Sequence, residues 1–153
     1  MNPSSDPLRG AAVLVVDDDL ELLRTLARRF HLAGSVVTVA KDGDEALARF
    51  NHSTPSVVVT DILMPNREGV ETIMAMKTRA PEVKILAISG GGLLGAAGVL
   101  DLARRLGADD VLAKPFRSGQ VLEAVRRLLG SAESLAGSVD AVASDHSRDS
   151  GAV

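Results

Sequence analysis

The sequence predicts a five-fold alternation of strand and helix, (βα)5, in a doubly wound α/β fold around a five-stranded parallel sheet. Two observations predict it. Five short apolar runs show no in–out alternation, so each strand is buried on both faces, as strands of a parallel sheet are. Between and after these runs, apolar residues recur at helical spacing. A strand–helix alternation of this kind closes through right-handed crossovers with helices on both sides of the sheet.

The elements follow in order. Residues 11–16 are continuously apolar and form the first strand. Leu20, Leu23, Leu26, Ala27 and Phe30 then repeat at helical spacing, with Asp19 as the N-cap and Gly34 closing the helix. Residues 36–40 are the second strand. Asp42 or Gly43 opens a short helix that runs through Phe50. Residues 57–60 are wholly β-branched, which suits a pleated surface, and form the third strand. A helix over 69–79 stops before Pro81. Residues 84–88 are the fourth strand, 94–106 a helix ending at Gly107, and 111–113 a short fifth strand. The last helix covers 118–129 and is closed by Gly130.

Around this domain of residues 11–130 stand two aperiodic ends. Residues 1–10 hold two prolines and read as a flexible leader, and residues 131–153, rich in Ser, Ala, Gly and Asp, read as a disordered tail.

Composition excludes several functions. Three Phe with no Trp or Tyr leave an aliphatic core and no stacking platform for single strands. A formal net charge of −3 and no basic run longer than a pair argue against nucleic acid as a partner. The absence of cysteine rules out disulfides and cysteine-based zinc sites. His31, His52 and His146 show no metal-ligand spacing. The apolar run 85–100 is broken by Gly90, Gly91, Gly92, Gly95 and Gly98, and no signal-peptide core precedes it. The expectation is a cytoplasmic protein with no membrane partner.

In a doubly wound sheet the ligand site lies beyond the carboxyl ends of the strands. Asp17, Asp18 and Asp19 follow the first strand, Asp61 the third, Ser89 and Gly90 the fourth, and Lys114 the fifth. Clustered carboxylates repel unless a cation intervenes, and an oxygen-only donor set with open positions suits Mg²⁺. A carboxylate can attack phosphorus to give an acyl phosphate, provided the oxygens of the transferring group are neutralised. Lys114, the Ser89 hydroxyl and the backbone N–H groups of Leu63 and Gly90 are placed to do so. Asp61, ending the central strand, is the best candidate nucleophile. Each residue also has a plainer reading. The aspartates could cap the first helix, Asp61 could end a strand at a turn, Ser89 could be a turn residue and Lys114 an ordinary exposed lysine.

Taken together, Val-Leu-Val-Val-Asp-Asp-Asp (13–19), Val-Val-Val-Thr-Asp-Ile-Leu-Met-Pro (57–65) with Gly69, Ile-Leu-Ala-Ile-Ser-Gly (85–90) and Ala-Lys-Pro-Phe (113–116) resemble the CheY-like receiver domain of response regulators. The resemblance runs from about residue 11 to 130 and implies a flavodoxin-like receiver fold. It implies that Asp61 takes the phosphoryl group from a sensor histidine kinase or a histidine phosphotransfer protein, in a two-component phosphorelay. Asp18, Asp61 and the Leu63 carbonyl would hold Mg²⁺ directly, and Asp17 through water. Ser89 would be the switch hydroxyl, and Lys114, joined to Pro115 by a cis peptide, the phosphate-binding lysine. A receiver is not an enzyme in the ordinary sense, since it catalyses only its own phosphorylation and dephosphorylation.

Three features depart from the family. Val111 stands where an aromatic is usual. The glycine-rich stretch after Ser89 is longer than is common, and is expected to order on phosphorylation. Residues 131–153 are too short and polar for a DNA-binding module, so the expectation is a stand-alone receiver that signals to an unknown downstream protein, with a possible homodimer through the fourth helix, fifth strand and last helix. The alternatives are a receiver-like binding module that is never phosphorylated, and an aspartyl-phosphate phosphatase built on Asp17 and Asp19.

Overall fold

The computed structural model describes residues 5–63, 69–90 and 95–130. Five strands, β1 (Ala12–Val16), β2 (Val36–Ala40), β3 (Val57–Asp61), β4 (Lys84–Ser89) and β5 (Asp110–Ala113), form one parallel sheet in the order β2-β1-β3-β4-β5. The helices are α1 (Leu20–Leu32), α2 (Gly43–His52), α3 (Gly69–Arg79), α4 (Gly95–Arg105) and α5 (118–130).

The lack of alternation along the strands is explained by two core layers. Leu14, Val16, Val58, Ile85 and Ala87 face one layer with Phe50 of α2, Ile73 and Met76 of α3 and Ala103 of α4. Val13, Val15, Val57, Val59, Leu86 and Ile88 face the other with Leu23, Leu26 and Phe30 of α1 and Val121 and Val125 of α5. The central strands β1, β3 and β4 therefore bury both of their sides, and the hydrophobic drive for the fold is spread over two interfaces. The expectation of strands buried on both faces fails at the two sheet edges, where no further strand covers the flank: Val36 and Thr38 of β2 are exposed, and β5 is only partly covered.

Local signals hold the helix ends. The Asp19 carboxylate accepts from the backbone N–H of Glu21 and Leu22 at the start of α1. At its end Ala33 is the C-cap and Gly34, at φ +93°, is the residue after it. The N–H of Gly34 donates to His31 O and that of Ser35 to Phe30 O, the paired bonds of a Schellman motif. Gly107 closes α4 in the same way, with its N–H on Arg104 O and that of Ala108 on Ala103 O.

One boundary is corrected. The reading of residues 1–10 as a flexible leader does not hold for 5–10. Leu8 is fully buried in the α1/α5 layer, and the Ser35 hydroxyl donates to its carbonyl at 2.6 Å. Asp6 pairs with Arg126 of α5 at 3.1 Å. The expected tail 131–153 and the glycines 91–92 of the long loop lie outside the described residues.

Candidate phosphoacceptor site

The strand order reverses between β1 and β3: the chain leaves β1 for β2 on one side and returns to β3 on the other. That switch point opens a crevice at the carboxyl ends. Asp17 and Asp18 leave β1 on one lip, and Asp61 ends β3 on the other. Asp17 and Asp61 are buried while Asp18 is exposed, and one carboxylate oxygen from each lies within 4.8 Å of the others.

Local hydrogen bonds orient the two buried groups. Asp17 Oδ1 accepts from the Asp19 N–H at 2.9 Å, and Asp61 Oδ1 accepts from the Leu63 N–H at 3.0 Å. The outer oxygens point at one cation. Lys114 Nζ lies 2.9 Å from Asp61 Oδ2 and 3.2 Å from Asp17 Oδ2. Lys114 follows β5, two strands from β3, so its stem must pass over the end of β4. Gly90 stands there, and even an added Cβ would only reach ordinary contact, 3.8 Å from Lys114 Cβ and Cδ. The Lys114 N–H is bonded to Ser89 O at 3.0 Å, and the Lys114–Pro115 peptide is cis, as the resemblance implies.

The electrostatics follow from burial. Burial pushes the Asp17 carboxyl above its ordinary range; the Asp19 N–H works against this, and the charge of Asp61 reinforces it. For Lys114, burial opposes the ammonium form, but the hydrogen bond and charge of Asp61, then of Asp17, outweigh it and raise its pKa. Three carboxylates face one ammonium, so the site is short of positive charge. Three oxygen donors, one of them facing solvent where waters can complete the shell, fit Mg²⁺.

All the candidate site residues read from the sequence lie at this edge. Asp17, Asp18, Asp61 and Lys114 form one cluster. Asp61 pairs in register with Ile88, which puts Ser89, fully buried, and Gly90 next to it on the neighbouring strand. Leu63 touches the site through its backbone, and its N–H is engaged by Asp61 itself rather than turned outward. Val111 is half-buried against the α2–α4 core layer.

The family model of the response regulator receiver domain matches residues 13–126. The chain belongs to this family. Domains of this family are phosphoacceptor signalling domains of two-component systems rather than ordinary enzymes. Among curated relatives, the transcriptional regulatory protein PrrA of Mycobacterium tuberculosis is 37% identical over 119 residues, covering 76% of this chain and 49% of that protein. The transcriptional regulatory protein CpxR of Escherichia coli is 34% identical over 118 residues, covering 76% and 48%. The chain spans about half the length of these relatives. Among solved structures, the receiver domain of Francisella response regulator 1452 superposes with a TM-score of 0.72 at 28% identity, covering 80% of this chain and 99% of that one. The BeF3-activated DrrB receiver domain gives 0.70 at 27% identity, covering 79% and 98%. Relatives named as transcriptional regulators lend no support to the expected exclusion of nucleic acid. No described helix is long and apolar enough to cross a membrane.

Proposed function

We propose that Asp61 accepts a phosphoryl group from a phosphohistidine on a sensor histidine kinase or a histidine phosphotransfer protein, and that the modified domain signals through contacts with another protein. The observation that carries this reading is Lys114 Nζ lying between Asp61 and Asp17, beside a third carboxylate. An Asp61 carboxylate oxygen attacks phosphorus, the bond from phosphorus to the donor's imidazole nitrogen breaks, and that nitrogen keeps the electron pair. Asp17, Asp18, Asp61 and the Leu63 carbonyl would hold Mg²⁺, which supplies positive charge to the phosphoryl oxygens. Lys114 exchanges its carboxylate partner for a phosphoryl oxygen, and the Ser89 hydroxyl and the Gly90 N–H donate to the others. In hydrolysis a water oxygen attacks phosphorus, the bond from phosphorus to the Asp61 oxygen breaks, and the carboxylate leaves with the electron pair.

This reading includes a cytoplasmic setting, a domain spanning residues 11–130 joined by the packed segment 5–10, and output through an unknown downstream protein or a second copy docked on α4, β5 and α5. The test is intact mass after incubation with acetyl phosphate and Mg²⁺. One added phosphoryl group is expected in the wild type, none in Asp61→Asn and none when the metal is chelated. A wild-type chain that takes no phosphoryl group and binds no beryllofluoride would leave the non-phosphorylated binding module as the better reading. Catalytic turnover of a simple phosphate ester would favour the phosphatase.

A further inference from the structure

Thr60 lies one residue before Asp61, and the reading above gives it no task. Its side chain is fully buried. It pairs in register with Val16 on β1 and Ala87 on β4, and both belong to the core layer under α2, α3 and α4. The hydroxyl therefore enters an apolar layer, where it is costly unless it finds an acceptor. It donates to the backbone carbonyl of Asp61 at 3.0 Å.

That carbonyl is packed from a second side. Gly69, the first residue of α3, packs so closely that a side chain there would collide with Asp61 O and come 2.5 Å from Ile62 Cα, and its N–H donates to Ile62 O at 2.8 Å. The Asp61–Ile62 peptide is thus held at its oxygen by the threonine hydroxyl, packed beside the start of a helix, and held at its nitrogen by the bond from the Ile62 N–H to Ile88 O at 3.0 Å. Turning this peptide is rotation about the Asp61 Cα–C bond. It would swing Leu63, whose N–H reaches back to Asp61 Oδ1. The orientation of the acceptor carboxylate is therefore tied to the carbonyl that Thr60 holds.

We infer that Thr60 is a positioning residue for phosphoryl transfer: its hydroxyl fixes the Asp61 peptide, and through it the acceptor carboxylate and the Leu63 turn. The inference rests on the phosphoacceptor reading of Asp61. The plainer account is that the hydroxyl only satisfies itself, in which case its removal would touch stability alone.

The experiment compares the full chain with Thr60→Val, which keeps shape and β-branching but loses the donor, and Thr60→Ser, which keeps the donor. Phosphorylation by acetyl phosphate is followed over a range of Mg²⁺ concentrations, so that maximal rate and metal dependence separate, and each protein is melted. Losing one neutral hydrogen bond that sets geometry is expected to lower the maximal rate of Thr60→Val at saturating Mg²⁺ by about fivefold. Thr60→Ser is expected to stay within about twofold of wild type. A Val variant with wild-type rate and metal dependence, whatever its melting point, would overturn the inference. So would equal losses in Val and Ser, which would trace the effect to packing. If wild type itself takes no phosphoryl group, the phosphoacceptor reading fails and this inference with it; if wild type reacts and the Val variant reacts equally well, only the role of Thr60 fails.

Discussion

Asp17 is a carboxylate almost out of water with a second carboxylate beside it, and Lys114 offsets only part of the cost. Its carboxyl is held above the ordinary 3.8, so the fold favours the protonated form. The penalty is absent below 3.8, grows as pH rises through the raised folded value, and is complete above that value. Asp17→Asn removes it there. Without metal this variant is expected to melt about 3 °C higher than wild type, the size of one close like-charge pair, and to lose the stabilisation that Mg²⁺ gives. Thermal melts with Mg²⁺ and with a chelator check both; a lower melting point without metal would contradict the electrostatics described. At this scale the sequence is readable where a residue breaks its surroundings. Aspartates and a lysine directly after apolar runs stand out, which is why Asp17, Asp61 and Lys114 were legible. Thr60 was not, because a β-branched residue in a β-branched strand reads as a strand former, and only its neighbour's carbonyl gives its hydroxyl a task.

Elements were legible where periodicity is long enough to count. The five strands and five helices appear in the predicted order, with ends that differ by a residue or two, as frayed ends do. The segment before β1 escaped because a single leucine between Pro7 and Arg9 has no period. Asp6 accepts from the Leu8 N–H in a short turn, and this turn drives Leu8 into the core. Leu8→Ala is expected to cost about 3 kcal/mol, as for other fully buried leucines, against near zero for a flexible leader. The Arg126 hydrogen bond holds the Asp6 carboxyl below its usual range, against the opposing effect of burial. Its contribution is therefore present above pH 3.8 and is lost as pH falls through the lowered folded value. Asp6→Asn removes it, and because Arg126 is partly exposed the loss at neutral pH is expected to be at most about 1 kcal/mol. Urea denaturation of both variants at neutral and acid pH measures these differences; a Leu8→Ala midpoint equal to wild type would show that the segment does not pack.

For the whole molecule, the site joins groups from the carboxyl ends of β1, β3, β4 and β5, so it exists only when these four strands are in place. A ligand that binds there binds the folded state alone. Beryllofluoride with Mg²⁺ at about 100 times its dissociation constant is expected to stabilise the domain by about 2.7 kcal/mol, seen as a higher melting temperature. Asp61→Asn and chelation should each abolish the shift. An unchanged wild-type melting temperature would argue against an assembled acceptor site. The global arrangement was legible because one topological rule places ligands at strand ends. The same rule puts Lys114 at this edge, but the route of its stem past Gly90 was not legible, since it depends on strand order rather than on distance along the chain.

The pairing of Asp6 with Arg126 has a bearing on how this module is wired into longer polypeptides. Helix α5 runs back from the carboxylates, and Leu129 ends up lining the same depression as Arg9, Gly10 and Lys84, at the amino ends of the strands. Entry and exit of the domain therefore share one pole, and the chemistry occupies the other. Sequence can be spliced in at that shared doorway, or the two ends sewn together and the chain reopened in a surface turn, with the reactive pole left as it was.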